Sequence, residues 1–515
     1  MKHLVILALL GVSIVAPGPF VVEETTIAQV HTGFRTGALT CRALVATYLT
    51  RIQRFDQSGP TLHAISDVNP TALEEADRLD EAFARSGLTG PLHCVPVIIK
   101  DNILTAGWET TAGSAALQGF IPDRDANAVT RLKAAGAILI AKSNMPDLAL
   151  NVLETVNLLH GSTRNPYAVD RVPAGSSGGT AVAIAANFGL VGLGTDTGGS
   201  VRGPAAHASV VGLRPTFGLT SRAGVVPLDV ESDTVGPITR SVEDAAAVLE
   251  VLAGWDQDDA ATDAVRRLGT LAPFTTRVHE GFEGTRVGIL SQAYVGGPRK
   301  IDPEVARLFA QALTDLSSLG VTVVDDVTLG ALPNLPDMAR CRGLRFNIDE
   351  FLATQPNAPV HSFAEIVDSG KYHPSLREEL MLMKAGSFDG PGSKACNDAA
   401  AYREAAAAVI TAAMDRRNLD VLVYPTWSQP PQRVTEVDLR ASGRTLLFAS
   451  ATGFPAVTVP MGFTTEVLPA GLSLLGRKWS DADLLRIAHA FEQATRHRRP
   501  PVIAPPIPCV CPQGQ

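Results

Sequence analysis

Short, nearly unbroken apolar runs alternate along the chain with longer stretches whose apolar residues recur every three or four positions. The runs Leu92–Ile99, Ala137–Lys142, Leu190–Leu193, Arg286–Leu290, Val321–Val324 and Asp420–Tyr424 predict buried strands. Helical spacing predicts helices over Thr26–Phe55, from Asn69-Pro70-Thr71 to Ser86, over Ala128–Ala135 and over Asp481–His497. A further helix carries its own punctuation. Asp302 is its N-cap, Pro303 its first residue, Val305, Leu308, Phe309, Leu313 and Leu316 its apolar stripe, and Gly320 its stop. Ser241-Val242-Glu243-Asp244 opens another with a capping-box pattern. Strands alternating with helices predict a layered α/β domain. No linker or internal repeat interrupts the pattern, so one domain with insertions is expected.

Composition narrows the function classes. Of 515 residues, 45% are hydrophobic and 19% charged, which supports a large core and excludes extended disorder. The 44 basic and 52 acidic residues give a net charge of −8, without a Lys/Arg-rich run, so no nucleic-acid partner is expected. Six cysteines are too few for a disulfide-built scaffold. The first twenty residues stand apart: Met1-Lys2-His3 precedes an apolar stretch, Leu4–Ala16, and then Pro17-Gly18-Pro19. That pattern predicts a signal peptide over residues 1–20, too short to span a bilayer. A secreted protein without stable membrane insertion is the expectation, and a cytoplasmic one if the segment is retained.

The unusual chemistry is concentrated between Arg171 and Pro227. Ala174-Gly175-Ser176-Ser177-Gly178-Gly179-Thr180 leads into an Ala-rich helix. After the strand Leu190–Leu193 comes Gly194-Thr195-Asp196-Thr197-Gly198-Gly199-Ser200, then Val201-Arg202-Gly203-Pro204. Glycines allow tight turns whose N–H groups converge on an anion, either a phosphate or the transient oxyanion of acyl transfer. Neither phosphate-loop nor dinucleotide glycine spacing is present, which leaves acyl transfer with a serine nucleophile. Gly175–Gly179 matches the nucleophile-elbow pattern centred on Ser177, but Pro173 argues against the strand an elbow must follow.

These two loops, with Val95-Pro96-Val97-Ile98-Ile99-Lys100-Asp101-Asn102 upstream and Gly212-Leu213-Arg214-Pro215-Thr216-Phe217-Gly218 downstream, resemble the amidase signature family. Thr163–Tyr167, Asp233–Pro237, Arg240–Asp244 and Val423–Thr426 extend the resemblance over about Ile27 to Pro501, leaving 502–515 as a Pro-rich tail. Ala174 stands where the family usually has Gly, and Asp147 where it often has Glu. The resemblance implies a single α/β/α domain with a mixed, twisted sheet covered by helices. It implies an amidohydrolase working through an acyl-serine intermediate with a Ser–Ser–Lys triad. Ser200 is the nucleophile, Ser176, at a cis peptide, the relay, and Lys100 the base. The N–H groups of Thr197, Gly198, Gly199 and Ser200 form the oxyanion hole, with Ser177, Asp196 and Arg202 in support. A small-molecule or peptide amide is the substrate, as in stand-alone peptide-amidase-like members, and no cofactor or metal is needed.

Other residues are expected to be structural. His93 and His207 flank the motifs but read as satisfied structural imidazoles, Ser176 and Ser177 as caps for the following helix, and Cys94 as core. Cys341 and Cys396 are a candidate pair if the chain is exported, and Cys509 and Cys511 lie in the tail. Two other functions stay open: a serine esterase using the Ser177 elbow with a histidine base, and a glutaminase-type subunit of a transamidating complex. Specificity is assigned to Asn144–Leu159 and Ala339–Asn397, read as apolar and mobile (Met381, Met383, Phe388), together with Trp427.

Overall fold

A computed structural model describes residues 20–509 except 270, 272, 296–299, 326, 332–340, 342, 387–388 and 439–443. Residues 1–19 of the expected signal segment 1–20, together with Phe388 and Cys511, therefore lie outside the described residues. Eleven strands among the described residues form one mixed sheet. They are β1 (Ile65–Val68), β2 (Pro96–Lys100), β3 (Ile138–Ser143), β4 (Val191–Asp196), β5 (Val211–Arg214), β6 (Thr234–Thr239), β7 (Arg286–Ile289), β8 (Thr322–Val324), β9 (Val421–Pro425), β10 (Ala456–Phe463) and β11 (Pro469–Leu475). Their order across the sheet is β1-β3-β2-β4-β6-β5-β10-β11-β9-β7-β8. The two parallel groups, β3-β2-β4 and β9-β7-β8, are joined through antiparallel pairings in the middle. Flanking helices cover the sheet and complete the expected single domain.

The strands β2, β3 and β4 are buried along their whole length, which is why their sequences are continuous apolar runs and not alternating ones. The pairing of β2 between β3 and β4 has a direct consequence for chemistry. Val97, Ile98 and Ile99 align with Val191, Gly192 and Leu193, so both strands end on the same edge, one at Lys100 and the other at Asp196.

Helix 303–318 starts as its sequence requires, with the Asp302 carboxylate accepting the Glu304 N–H at 2.8 Å. The stretch 26–55, expected as one helix, is divided. Ile27–Thr36 stops at Gly37 (φ 71°), Thr40 caps Cys41–Arg51, and a π-turn follows at Ile52–Asp56. Cys94 is not a free core thiol: it is bonded to Cys41, with Cα atoms 5.8 Å apart, and pins this N-terminal helix to the run that leads into β2. Cys341 and Cys396 are also paired. Both ends of the described chain converge on Arg51, which is wholly buried. Its guanidinium donates to the carbonyls of Ala504 (2.8 Å) and Pro505 (2.9 Å) and is ion-paired with Glu23.

Candidate active site

The site is built where β2 and β4 end. Lys100 has no solvent exposure. Its Nζ donates to Ser176 Oγ at 2.7 Å and to Thr195 Oγ1 at 2.8 Å, and Asn102 Nδ2 donates to the same threonine oxygen at 3.1 Å. Burial pushes the lysine down to about 7, against the opposing charges of Asp233 and Asp196. An amine held this way is neutral for much of its time near pH 7 and can accept a proton from the hydroxyl beside it.

The loop ahead of helix Gly178–Ala185 presents that hydroxyl. The Gly175–Ser176 peptide is cis, as the resemblance implies. Ser177 stitches this loop to the second one. Its N–H donates to the Ser200 carbonyl at 3.1 Å, and its Oγ makes two 3.3 Å bonds with the Thr195 backbone, one to the carbonyl and one from the N–H. This corrects the capping expectation: the Ser177 side chain does not cap helix Gly178–Ala185, because its hydroxyl is already committed to β4.

The second loop is braced from inside. Asp196 is fully buried, and its carboxylate accepts from the Gly199 N–H (2.9 Å), the Val201 N–H (3.2 Å), Arg202 Nε (3.1 Å) and Arg214 Nη1 (3.0 Å). The two guanidiniums hold its pKa well below the usual carboxylate range despite burial. Gly199 adopts φ 115°, and a Cβ there would lie 2.6 Å from Leu446, so glycine is required on both counts. The Asp196–Gly199 bond also corrects one expectation. The Gly199 N–H already points at a carboxylate, which leaves Thr197, Gly198 and Ser200 as candidate oxyanion donors. Ser200 lies at the end of this loop, 4% exposed, while Thr197 and Gly198 are partly exposed.

The histidine-based alternative finds no geometry. His93 Nδ1 lies 2.8 Å from Thr89 Oγ1, with the ring packed against Phe34 and Phe83. His207 stacks on Trp427 at 5.2 Å, its Nε2 is 3.4 Å from the Gln429 carbonyl, and burial pushes it down to about 3. The residues 171–174 ahead of the first loop make only an isolated bridge, Arg171 to Arg433, so the strand an elbow needs is missing there. The segment 144–159 is largely buried scaffolding. The Asn151 and Glu154 carbonyls sit where a Cβ on Gly175 would go, at 2.2 and 2.6 Å, fixing the turn before Ser176.

Sequence reasoning missed Thr195, the second oxygen on Lys100, and Arg214, the second cation on Asp196. Both stand inside the motifs that carry the resemblance, but their partners lie 95 and 18 residues away in the chain.

The chain is similar to known proteins over most of its length. The profile of the amidase family matches residues 43–485. The chain is 32% identical over 500 residues to a glutamyl-tRNA(Gln) amidotransferase subunit from Desulfatibacillum aliphaticivorans, covering 92% of this chain and 98% of that one. Among solved structures, the native peptide amidase of Stenotrophomonas maltophilia superposes with a TM-score of 0.82 at 36% identity, covering 93% of this chain and 99% of that one. An amidase family protein of Bacillus anthracis str. Ames gives a TM-score of 0.83 at 28% identity, with coverages of 93% and 92%.

Proposed function

The chain belongs to the amidase family, and we propose that it hydrolyses linear carboxylic amides other than peptide bonds, with Ser200 as nucleophile, Ser176 as relay and Lys100 as base. The observation that carries the assignment of roles is the 2.7 Å contact between a buried lysine, its pKa pushed down to about 7, and Ser176 Oγ. In the reaction, Ser200 Oγ adds to the amide carbonyl carbon while its proton passes to Ser176 Oγ and the Ser176 proton to Lys100 Nζ. The N–H groups of Thr197, Gly198 and Ser200 stabilise the oxyanion, and Asp196, Arg202 and Ser177 hold their loop in place. The C–N bond then breaks, and the nitrogen leaves with a proton returned through Ser176. Water attacks acyl-Ser200 by the same relay and releases the acid. C-terminal or aryl amides are the substrate class we favour, and the likeness to a peptide amidase supports the first of the two.

A second reading has specific support. The relationship to an amidotransferase subunit favours a glutaminase that works only within a complex. One observation, with one expectation from the sequence, weighs against it. The Cys41–Cys94 and Cys341–Cys396 pairs fit an oxidising compartment, as does the expected leader, and on these grounds we place the protein outside the cytoplasm. The purified single chain, given a panel of aliphatic amides, anilides, peptide amides, carbamates and esters, is expected to release ammonia or amine unaided. Turnover of glutamine alone, and only with added partner subunits, would establish the second reading instead.

A further inference from the structure

We propose that Asp233 is a positioning residue of the oxyanion hole, acting through the hydroxyl of Thr197; the assignment rests on the amide-hydrolase reading above. The stretch that carries the oxyanion donors is anchored on both sides of Thr197 and Gly198. On one side the Asp196 carbonyl accepts from Arg214 Nη1 and from Thr234 Oγ1, the latter at 3.2 Å. On the other the Gly199 N–H is held by the Asp196 carboxylate at 2.9 Å. Gly198 has no side chain, so Thr197 offers the one side-chain grip in the gap. Its hydroxyl donates to Asp233 Oδ1 at 2.5 Å.

Strand register brings the two residues together. β4 and β6 pair antiparallel with Asp196 opposite Thr234, so the next position past the end of the ladder sets Thr197 across from Asp233. Asp233 is buried and fixed in its own turn. Its N–H donates to the Asp229 carbonyl at 2.8 Å, and its Oδ2 accepts from the N–H groups of Leu228 (2.9 Å) and Asp229 (3.1 Å). The Ser232 carbonyl accepts from Arg214 Nη2 at 2.8 Å, so the guanidinium that braces Asp196 also braces the turn that carries Asp233. With Oδ2 taken, Oδ1 is left for Thr197. Burial, with Asp229 close by, raises the Asp233 carboxyl to about 6. At pH 8 it is therefore ionised and can only accept, which fixes the direction of the Thr197 hydroxyl. A donor stabilises a developing oxyanion best when it is aimed before the charge appears. Tied by its side chain to a fixed carboxylate, Thr197 is restrained from turning its N–H away from the reacting oxygen.

The test is a double-mutant cycle on ammonia release at pH 8 from the best amide of the panel, N-acetyl-phenylalanine amide being tried first. Thr197→Val removes the hydroxyl and keeps the shape. Asp233→Asn has one oxygen for two tasks: kept on the Leu228 and Asp229 N–H groups, it turns an NH2 towards Thr197. Each variant should lower kcat about 10–100-fold, with KM within about twofold, because the aim of the donor matters in the transition state and not in substrate binding. The double variant should lose no more than the larger single loss, since both remove one link. Thr197→Ser, which restores the hydroxyl, should recover most of what Thr197→Val loses. Thermal midpoints are measured on every variant. If Asp233→Asn does not fold, the contrast between Thr197→Val and Thr197→Ser decides. An unchanged kcat in Thr197→Val, a change in KM or thermal midpoint alone, equal losses in Thr197→Val and Thr197→Ser, or single losses that multiply in the double variant would overturn the proposal and leave the amidase reading standing. No ammonia or amine from any amide of the panel with the wild type would overturn the amidase reading and the proposal together.

Discussion

A proton on Lys100 should switch the enzyme off, and the structure says where on the pH scale. The ordinary value of 10.5 falls to about 7 because the amine is stripped of water between Ser176 and Thr195, with Asp233 and Asp196 only partly offsetting the loss. Only the neutral amine accepts the Ser176 proton. With a pKa of about 7, about a tenth of the enzyme is competent at pH 6, half at pH 7 and nine-tenths at pH 8. The value of kcat/KM for a neutral primary amide should therefore rise about tenfold from pH 6 to pH 8 and then level off. A lysine left at 10.5 would instead give about a hundredfold rise over the same interval and no plateau before pH 10. The assay is ammonia release from pH 5 to 10, with circular dichroism at each pH to separate titration from unfolding. Lys100→Ala should lower turnover by about 10³–10⁴, and Lys100→Arg should not restore it, because guanidinium keeps its proton. A flat profile between pH 6 and 8, or the same acid limb in Lys100→Ala, would refute a lysine base.

Other features can be checked separately. Asp196→Asn leaves Arg202 and Arg214 buried without their counter-charge, and denaturant unfolding should show a loss of about 3–5 kcal/mol. Gly199→Ala must hold φ near 115° and push on Leu446, so it should lose about 1–3 kcal/mol by the same assay, with kcat falling more than KM changes. Arg51→Met should lower the thermal midpoint and make the terminal segments sensitive to protease, because that side chain ties Glu23 to the Ala504 and Pro505 carbonyls. If the leader is removed on export, N-terminal sequencing should find a cut that keeps Val22, Glu23 and Glu24, since Val22 is fully buried and Glu24 is paired with Arg498. A mature chain starting beyond Glu24 would contradict that docking.

Much of the site is legible in the chain because the residues that matter end short, recognisable elements. Lys100 closes a five-residue apolar strand, and Ser176 and Ser200 sit in glycine loops on either side of one helix and one strand. What stays hidden depends on packing between elements. Thr195 shares Lys100 with Ser176 only because β2 and β4 lie side by side in register. The Cys41–Cys94 bond requires helix Cys41–Arg51 to cross the run that precedes β2, a placement no local pattern encodes. A glycine loop announces that its N–H groups bind an anion without saying which one. For Gly199 the anion is the carboxylate of Asp196, three residues back, and not the reacting oxygen. The break at Gly37 is visible as a glycine, but its helical surroundings mask it, and only the left-handed backbone there shows that the helix stops.

Ser200 becomes acylated while Ser176 only relays a proton, and that division of labour is best checked with a fluorophosphonate, followed by digestion and location of the adduct by mass spectrometry. Cleavage at Arg171 and Arg202 releases all three candidate serines on one peptide, and a second cut after Phe188 separates Ser200 from Ser176 and Ser177. One adduct is expected, on Ser200, absent from Ser200→Ala and slowed strongly in Lys100→Ala. An adduct on Ser176 or Ser177, or labelling that persists in Ser200→Ala, would contradict the assignment.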